Sequence, residues 1–475
     1  MKLTSPRITV SALRGGSGKT IISLGLLSLW REMGLSPSPF KKGPDFIDAG
    51  WLSFASGSQC HNLDPFLMTE EQIIYSFLIH ASENEISLIE GNRGLFDGVD
   101  LHGSCSTAEL AKILSCPVLL IVDATMVTRT TAALVKGCQS FDPDLKLAGI
   151  VINQVATRRQ ERLITQSIEH YCDITVLGSI PRSRENLFPE RHMGLVPHQE
   201  RNVAQRAIDW AKRLVSENMD VHRLLQIMNN AGPIHLNPSL IRTNGDEELI
   251  SSPRPRIGVI RDSVFWFYYP ENLQSLEALG ADIIIIDSIQ DPSLPEIDAL
   301  YIGGGFPETQ AQALAENVGF REELKKRINE GLPVYAECGG FMFMGENLHV
   351  GDKSYPMAGV LPVTFVLEKK PQGHGYTLLE TIEPNPYYTA GERLKGHEFH
   401  YSRPIVHRQS RLRPVFKVLR GHGLDGTHDG LHKKNLLGTY THVHAGGDTR
   451  WARKIYDMAA AYRMQKNFQA AQKKN

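Results

Sequence analysis

The sequence has almost no net charge: 51 basic residues offset 52 acidic ones, leaving −1 with histidine neutral. That balance gives no electrostatic case for a nucleic-acid or anionic-membrane partner. Long hydrophobic runs are missing as well. None approaches the ~18 residues of a membrane span, and Met1 to Arg14 lacks the apolar core of a signal peptide, so a cytoplasmic location is expected. Cysteine is sparse: the six, Cys60, Cys105, Cys116, Cys138, Cys172 and Cys338, are scattered without a C-x-x-C pair, the usage of a reducing compartment. Internal repeats and low-complexity tracts are absent. What remains, 41% hydrophobic and 22% charged over 475 residues, is the composition of a soluble globular enzyme longer than one ordinary domain.

β-type apolar runs at residues 8–12, 87–90, 118–123, 147–152 and 175–180 alternate with amphipathic segments. Such alternation predicts a parallel sheet covered by helices. A second series, at 256–260, 281–287, 299–302 and 333–336, predicts another α/β unit. Between them lies a stretch rich in Pro, Asn, Gly and charge, which reads as a linker. The expected division is 1–232, a linker at 233–253, and 254–475.

The stretch Ala336-Glu337-Cys338-Gly339-Gly340 sets one cysteine between an apolar run and a glycine pair. That is the layout of a nucleophile elbow, in which a tight turn after a strand lifts the side chain clear and leaves backbone N–H groups to hold an oxyanion. A cysteine among apolar residues is ordinarily a buried, inert thiol. Downstream, however, Tyr440-Thr441-His442-Val443-His444 offers a strand-like segment ending in histidine, the base such a thiol needs. Cys338 is the candidate nucleophile and His442 its base. Gly303-Gly304-Gly305-Phe306-Pro307-Glu308 forms a glycine loop after the predicted strand 299–302. Cysteine, histidine and loop in this order resemble the class I glutamine amidotransferases over roughly 256–450. The resemblance implies an oxyanion hole at Gly304 and Gly339. It also exposes a departure: the usual His-x-Glu pattern has His444 in third place, so the orienting carboxylate is absent from its normal position. The cobyrinic and cobyric acid synthase branch shares that departure and works with cysteine and histidine alone.

Arg14-Gly15-Gly16-Ser17-Gly18-Lys19-Thr20 follows a predicted strand and opens a predicted helix at 21–30. In that context the glycines let successive N–H groups face phosphate oxygens, Lys19 neutralises charge, and Thr20 can ligate Mg²⁺. Leu13 stands where the strict Walker A motif needs glycine. The segment resembles instead the deviant form K-G-G-x-G-K-T, with Arg14 for the first lysine. A glycine-rich turn without function is the competing reading, and the strand and helix flanks weigh against it. Glu90 closes a strand at the carboxyl edge of the sheet, where ligands of open α/β sheets collect, and is a candidate Mg²⁺ ligand. Asp123 also closes a strand, as a ligand or merely as a cap. Asn153 stands where related folds contact the adenine base.

Lys41-Lys42-Gly43-Pro44-Asp45-Phe46-Ile47-Asp48, taken alone, is a charged and solvated Gly-Pro turn. It also resembles the K-x-G-P-D-[FY]-I-D signature of the cobyrinic acid a,c-diamide synthase family. So do Glu90-Gly91 through Leu95-Phe96-Asp97-Gly98, and Pro189-Glu190-Arg191-His192-Met193-Gly194-Leu195, where that family reads P-E-R-H-L-G-L. With the elbow and the histidine element these span nearly the whole chain in family order. The resemblance implies an N-terminal P-loop NTPase of the dethiobiotin-synthetase type and a C-terminal class I amidotransferase, both α/β. It implies ATP and Mg²⁺ (Thr20, Asp48, Glu90), glutamine, and a corrinoid or related tetrapyrrole met by Lys41, Lys42, Asp45, Asp97, Arg191 and His192. The reaction implied is amidation of the a and c acetate groups of cobyrinic acid through acyl phosphates. Hydrogenobyrinic acid or nickel-sirohydrochlorin would fit the same chemistry. Readings of other classes are a nucleotide switch of the partitioning-ATPase type and a glutaminase-like protein-binding module; a homodimer is left open. His397 and His400, in Gly396-His397-Glu398-Phe399-His400-Tyr401-Ser402, have H-x-x-H spacing but no further ligand set, so they are not read as a zinc site.

Overall fold

Arg7–Ala12 (β1) is buried at every position, with Ile8, Val10 and Ala12 in the apolar core, as expected of a strand covered on both faces. It is the middle strand of a seven-stranded sheet that also contains Pro37–Lys42 (β2), His61–Leu63 (β3), Ile86–Glu90 (β4), Val118–Asp123 (β5), Leu147–Val155 (β6) and Val176–Pro181 (β7). The spatial order is β3-β2-β4-β1-β5-β6-β7, and every ladder is parallel. The computed structural model describes residues 2–3, 5–81, 86–183, 201–235, 254–407 and 412–474. The chain divides into two units, Met1–Arg242 and Thr243–Asn475. Arg191 and His192, with the rest of their motif, lie outside the described residues, as does most of the expected linker.

The five strands expected in the first unit are present. β2 and β3 are additions, and β2 corrects the reading of Lys41 and Lys42 as part of a solvated turn, because both close a fully buried strand. Its prolines conceal it. The ladder from β2 to β3 starts only at Phe40, so Pro37 and Pro39 sit where β2 has a neighbour on one side alone, and proline is tolerated there. Lys19–Glu32 (α1) follows the glycine-rich loop directly and buries Ile22, Leu26 and Trp30 at four-residue spacing. Gly25 lets α1 approach the helix Arg201–Asn218 closely; a side chain there would meet Ala211 and Val215.

The second unit is built on a nine-stranded mixed sheet. Arg256–Ile260 (β8), Asp282–Ile286 (β9), Ala299–Ile302 (β10) and Val334–Glu337 (β11) are its expected parallel strands. Gly373–Thr381 (β12), Arg393–His400 (β13), Pro414–Arg420 (β14) and His428–Lys433 (β15) extend it antiparallel, and Leu436–Thr439 (β16) joins the two halves. The order is β9-β8-β10-β11-β16-β15-β14-β12-β13. β16 runs parallel to β11 with Thr439 opposite Glu337, which carries the chain after β16 to the end of the elbow strand. The strand stops at Thr439, so Tyr440–His444 is not itself a strand; His442 is held by an isolated antiparallel bridge to His397.

Candidate functional site

In the first unit Gly16 (φ 75°) and Gly18 (φ 95°) take the left-handed conformation that glycine adopts cheaply, turning the chain from β1 into α1. A methyl group on Gly15 or Gly16 would meet nothing within 4 Å, so the outer face of the loop is open to a ligand. Lys19 folds back over the loop, and its Nζ donates to the carbonyls of Arg93 (2.7 Å) and Arg14 (3.3 Å). Ser17 closes the turn through its hydroxyl to Arg14 O at 3.1 Å. Asn153, on β6, donates to Ser17 O at 2.9 Å and packs against Gly18. Beside it an apolar slot is lined by Gly18, Ile22, Asn153, Ile180, Trp210 and Leu214.

Glu90 is at the end of β4, fully buried. Its Oε1 accepts from Thr20 Oγ1 (3.1 Å) and from Lys41 Nζ (2.6 Å), and Lys41 also reaches Asp48 Oδ2 at 2.7 Å. Burial opposes the charge on Lys41, but Asp48, Glu90 and Asp45 together raise its pKa above the ordinary lysine value. Lys41 is therefore the internal counter-ion of two carboxylates and, at 1% exposure, is not presented to a bulky tetrapyrrole. Burial lowers the pKa of Lys42 despite Asp64 and Cys105 nearby. Asp45 caps Phe46–Ser56 (α2) by accepting from Asp48 N at 2.9 Å; burial, then the Asp48 charge, push its carboxyl up to about 7.

Mg²⁺ fits this cluster. The second oxygen of Glu90, Oε2, is buried and has no hydrogen-bond partner among the described residues, an expense that a bound cation would relieve. Thr20, Glu90 and Asp48 are thus brought together. Asp97 is exposed, and its Oδ2 accepts from Gly94 N at 2.8 Å, closing a local turn. Asp123 pairs with Arg14 at 2.6 Å; despite partial burial, hydrogen bonds from Thr125 and Arg14 hold its pKa below the usual carboxylate value.

In the second unit Cys338 has φ 47° and ψ −102°, a conformation costly for any residue with a side chain and held by the packing around it. Its N–H is tied to Thr439 O at 2.8 Å and its carbonyl begins the short helix Gly339–Phe343. Burial, then the carboxylate of Glu308, push the thiol well above its ordinary pKa, while the Gly339 N–H acts in the opposite sense. The resting sulfur is accordingly a neutral thiol. It lines a pocket with Gly305, Phe306, Glu308, Met342 and His400. The Gly303–Gly305 loop lies between the elbow and the histidine. A methyl on Gly339 would come within 2.9 Å of Gly305 N, and one on Gly304 would overlap the His442 ring.

His442 is 1% exposed, with His397 stacked on it at a centroid distance of 4.8 Å. Burial and the neighbouring His442, His444 and His374 hold His397 well below its ordinary pKa, so that ring is neutral. His397 Nδ1 meets Tyr269 OH at 3.0 Å, whereas His400 Nδ1 meets Ser402 O at 3.0 Å and its ring stacks on Tyr440. The two histidines serve different neighbours. His444, in the usual carboxylate position, lies 3.6 Å from Glu271. Two acidic residues of the site escaped the sequence reading: Glu308, which closes the glycine loop, and Glu337, which precedes the nucleophile.

Residues 8–196 match the family described as the CobQ/CobB/MinD/ParA nucleotide binding domain, and residues 256–450 the CobB/CobQ-like glutamine amidotransferase domain. With the geometry above, these define a class: a nucleotide-binding unit and a glutamine amidotransferase unit on one chain. The cobyrinate a,c-diamide synthase of Magnetococcus marinus is 40% identical over 449 residues, covering 94% of this chain and 96% of that one. That of Archaeoglobus fulgidus is 37% identical (96% and 97% covered), and that of Methanosarcina acetivorans 35% (96% and 96%). The chain belongs to the cobyrinate a,c-diamide synthase family.

Proposed function

We propose that the protein converts the a and c acetate side chains of cobyrinic acid to amides, consuming ATP and taking nitrogen from glutamine. A carboxylate cannot expel oxide or hydroxide at a useful rate. ATP solves this by transferring its γ-phosphoryl group to the carboxylate oxygen, giving an acyl phosphate and ADP. Lys19 and the backbone amides of the Gly15–Gly18 loop neutralise and position the phosphates, and the slot beside Asn153 suits the base. Thr20, Glu90 and Asp48 would hold Mg²⁺, which supplies charge neutralisation on the phosphates. Lys41 is the counter-ion of Glu90 and Asp48, and Lys42 and Asp45 are candidate substrate groups. Arg191 and His192 remain proposed substrate contacts.

At the second site Cys338 sulfur attacks the side-chain amide carbon of glutamine as His442 takes the thiol proton. The N–H groups at Gly339 and the Gly304 loop receive the developing oxyanion. The tetrahedral adduct collapses, ammonia leaves with the proton from His442, and water then cleaves the thioester to glutamate. The ammonia attacks the acyl phosphate and releases inorganic phosphate.

The observation that carries this reading is the convergence of the strained cysteine turn and the buried histidine on one glycine loop, in a chain whose other unit gathers Lys19, Thr20, Glu90 and Lys41. A nucleotide switch has no use for that turn. The test is Cys338→Ala: amidation driven by glutamine should vanish while amidation driven by ammonium chloride persists. Loss of both, in a folded variant that binds ATP, would refute the division of labour.

A further inference from the structure

The third position of the usual His-x-Glu pattern is a histidine here, yet the base is not without a carboxylate. Glu337 Oε2 lies 3.4 Å from His442 Nδ1. Both groups are almost wholly buried, at 1% exposure each. The carboxylate is fixed at both oxygens: Oε2 accepts from Tyr301 OH at 3.1 Å and Oε1 from Val443 N at 3.2 Å. Tyr301 is in turn held by Asn272 Nδ2 at 3.1 Å, and Asn272 also donates to Val443 O at 2.8 Å. One side chain at the end of β11 therefore fixes the backbone after His442 and faces its ring.

We infer that Glu337 is the positioning residue for His442, a carboxylate supplied from immediately before the nucleophile in place of the one missing after the histidine. The inference rests on the amidotransferase reading of Cys338 and His442. A base that takes a proton at Nε2 needs its Nδ1 proton held toward an acceptor, which fixes the tautomer and stabilises the imidazolium formed in the reaction. A separation of 3.4 Å is within ion-pair range but long for a hydrogen bond, and such contacts in ligand-free sites tighten when substrate is bound. Among the described residues, His397 is stacked on the His442 ring and His444 stands two residues on, and an imidazole supplies no anion. β11 and β16, parallel and in register at Glu337 and Thr439, hold the arrangement in place.

The test uses the full chain with Glu337→Gln, which preserves shape and can keep both local hydrogen bonds while removing the charge. Glutaminase kcat should fall by about 10²- to 10⁴-fold, with KM for glutamine little changed. The acid limb of the pH profile should move to lower pH, because the imidazolium loses its anion. Ammonium-driven amidation should be untouched, which also shows that the chain is folded. Glu337→Asp should recover part of the rate. Should glutamine-driven activity stay within about threefold of the parent, or fall with no shift of the acid limb, Glu337 is a structural link and the inference is wrong. If Glu337→Gln fails to fold, Tyr301→Phe, which keeps the carboxylate but removes its hydroxyl donor, should move the acid limb to higher pH, and an unmoved limb would overturn the inference. Cys338→Ala run alongside separates the cases: retained glutaminase there would overturn the amidotransferase reading itself.

Discussion

Replacing Gly304 with alanine should disable glutamine hydrolysis while sparing the rest of the enzyme. Gly304 does not have the positive φ that would make alanine a backbone problem, so the effect is one of space. Its new methyl would be under 3.0 Å from His442 Cε1 and at 3.1 Å from both His442 Nε2 and Phe267 Cδ2. Comfortable carbon contacts are about 3.5–4.0 Å, so the imidazole must retreat by about 1 Å. It cannot swing away freely, because His397 is stacked on it and Glu337 faces Nδ1. A misplacement of about 1 Å costs on the order of 10²-fold in rate. Overpacking adds about 1–3 kcal/mol of destabilisation, visible as a few degrees in Tm and separable from the kinetic loss. The assay is glutamate release, with ammonium-driven amidation as the control within the same molecule. A folded Gly304→Ala protein that releases glutamate within about threefold of the parent rate would refute the placement of His442 against the loop.

Lys41→Met leaves Glu90 and Asp48 buried without their cation, and breaking such a pair costs about 3–5 kcal/mol. Hydrogen exchange at Ile86–Glu90 should accelerate accordingly, and unchanged protection would contradict the counter-ion role. The Glu308 carboxyl is pushed up to about 7 by burial, and its charge in turn raises the Cys338 thiol. Glu308→Gln should therefore speed alkylation of Cys338 by iodoacetamide about 3- to 10-fold near pH 8. Near pH 6, where the parent carboxyl is already protonated, it should change little; equal rates at both pH values would dismiss the coupling. Lys19→Met should remove ATP-dependent amidation from either nitrogen source by about 10²-fold or more, and glutamate release measured without ATP should survive.

Both chemical centres were legible because each is announced by a contiguous motif between elements of opposite kind. The Arg14–Thr20 loop lies between a buried strand and α1, and the Cys338 turn between β11 and a helix. What contiguous residues do not disclose is which neighbour a fold will supply. The parallel pairing of β11 with β16 is what brings Glu337 to His442 across 105 positions of sequence, and a pattern search for His-x-Glu looks on the wrong side of the nucleophile. Lys41 shows a related failure. Residue type indicates a cation suited to an acidic substrate, whereas burial makes it the partner of Glu90 and Asp48. β2 went unseen because proline is a strand breaker by composition and harmless where a ladder has not yet begun. The antiparallel strands after Gly373 carry mixed polar and apolar residues on a half-buried surface, which weakens their signal.

The most direct measurement is mass spectrometry of the products formed with Mg-ATP and glutamine from cobyrinic acid, hydrogenobyrinic acid and nickel-sirohydrochlorin in separate incubations, each repeated with Cys338→Ala. Two successive hydroxyl-to-amino replacements on cobyrinic acid, dependent on ATP and lost with Cys338 when glutamine is the nitrogen source, are the predicted result. Unaltered cobyrinic acid in the presence of steady glutamate release would contradict it.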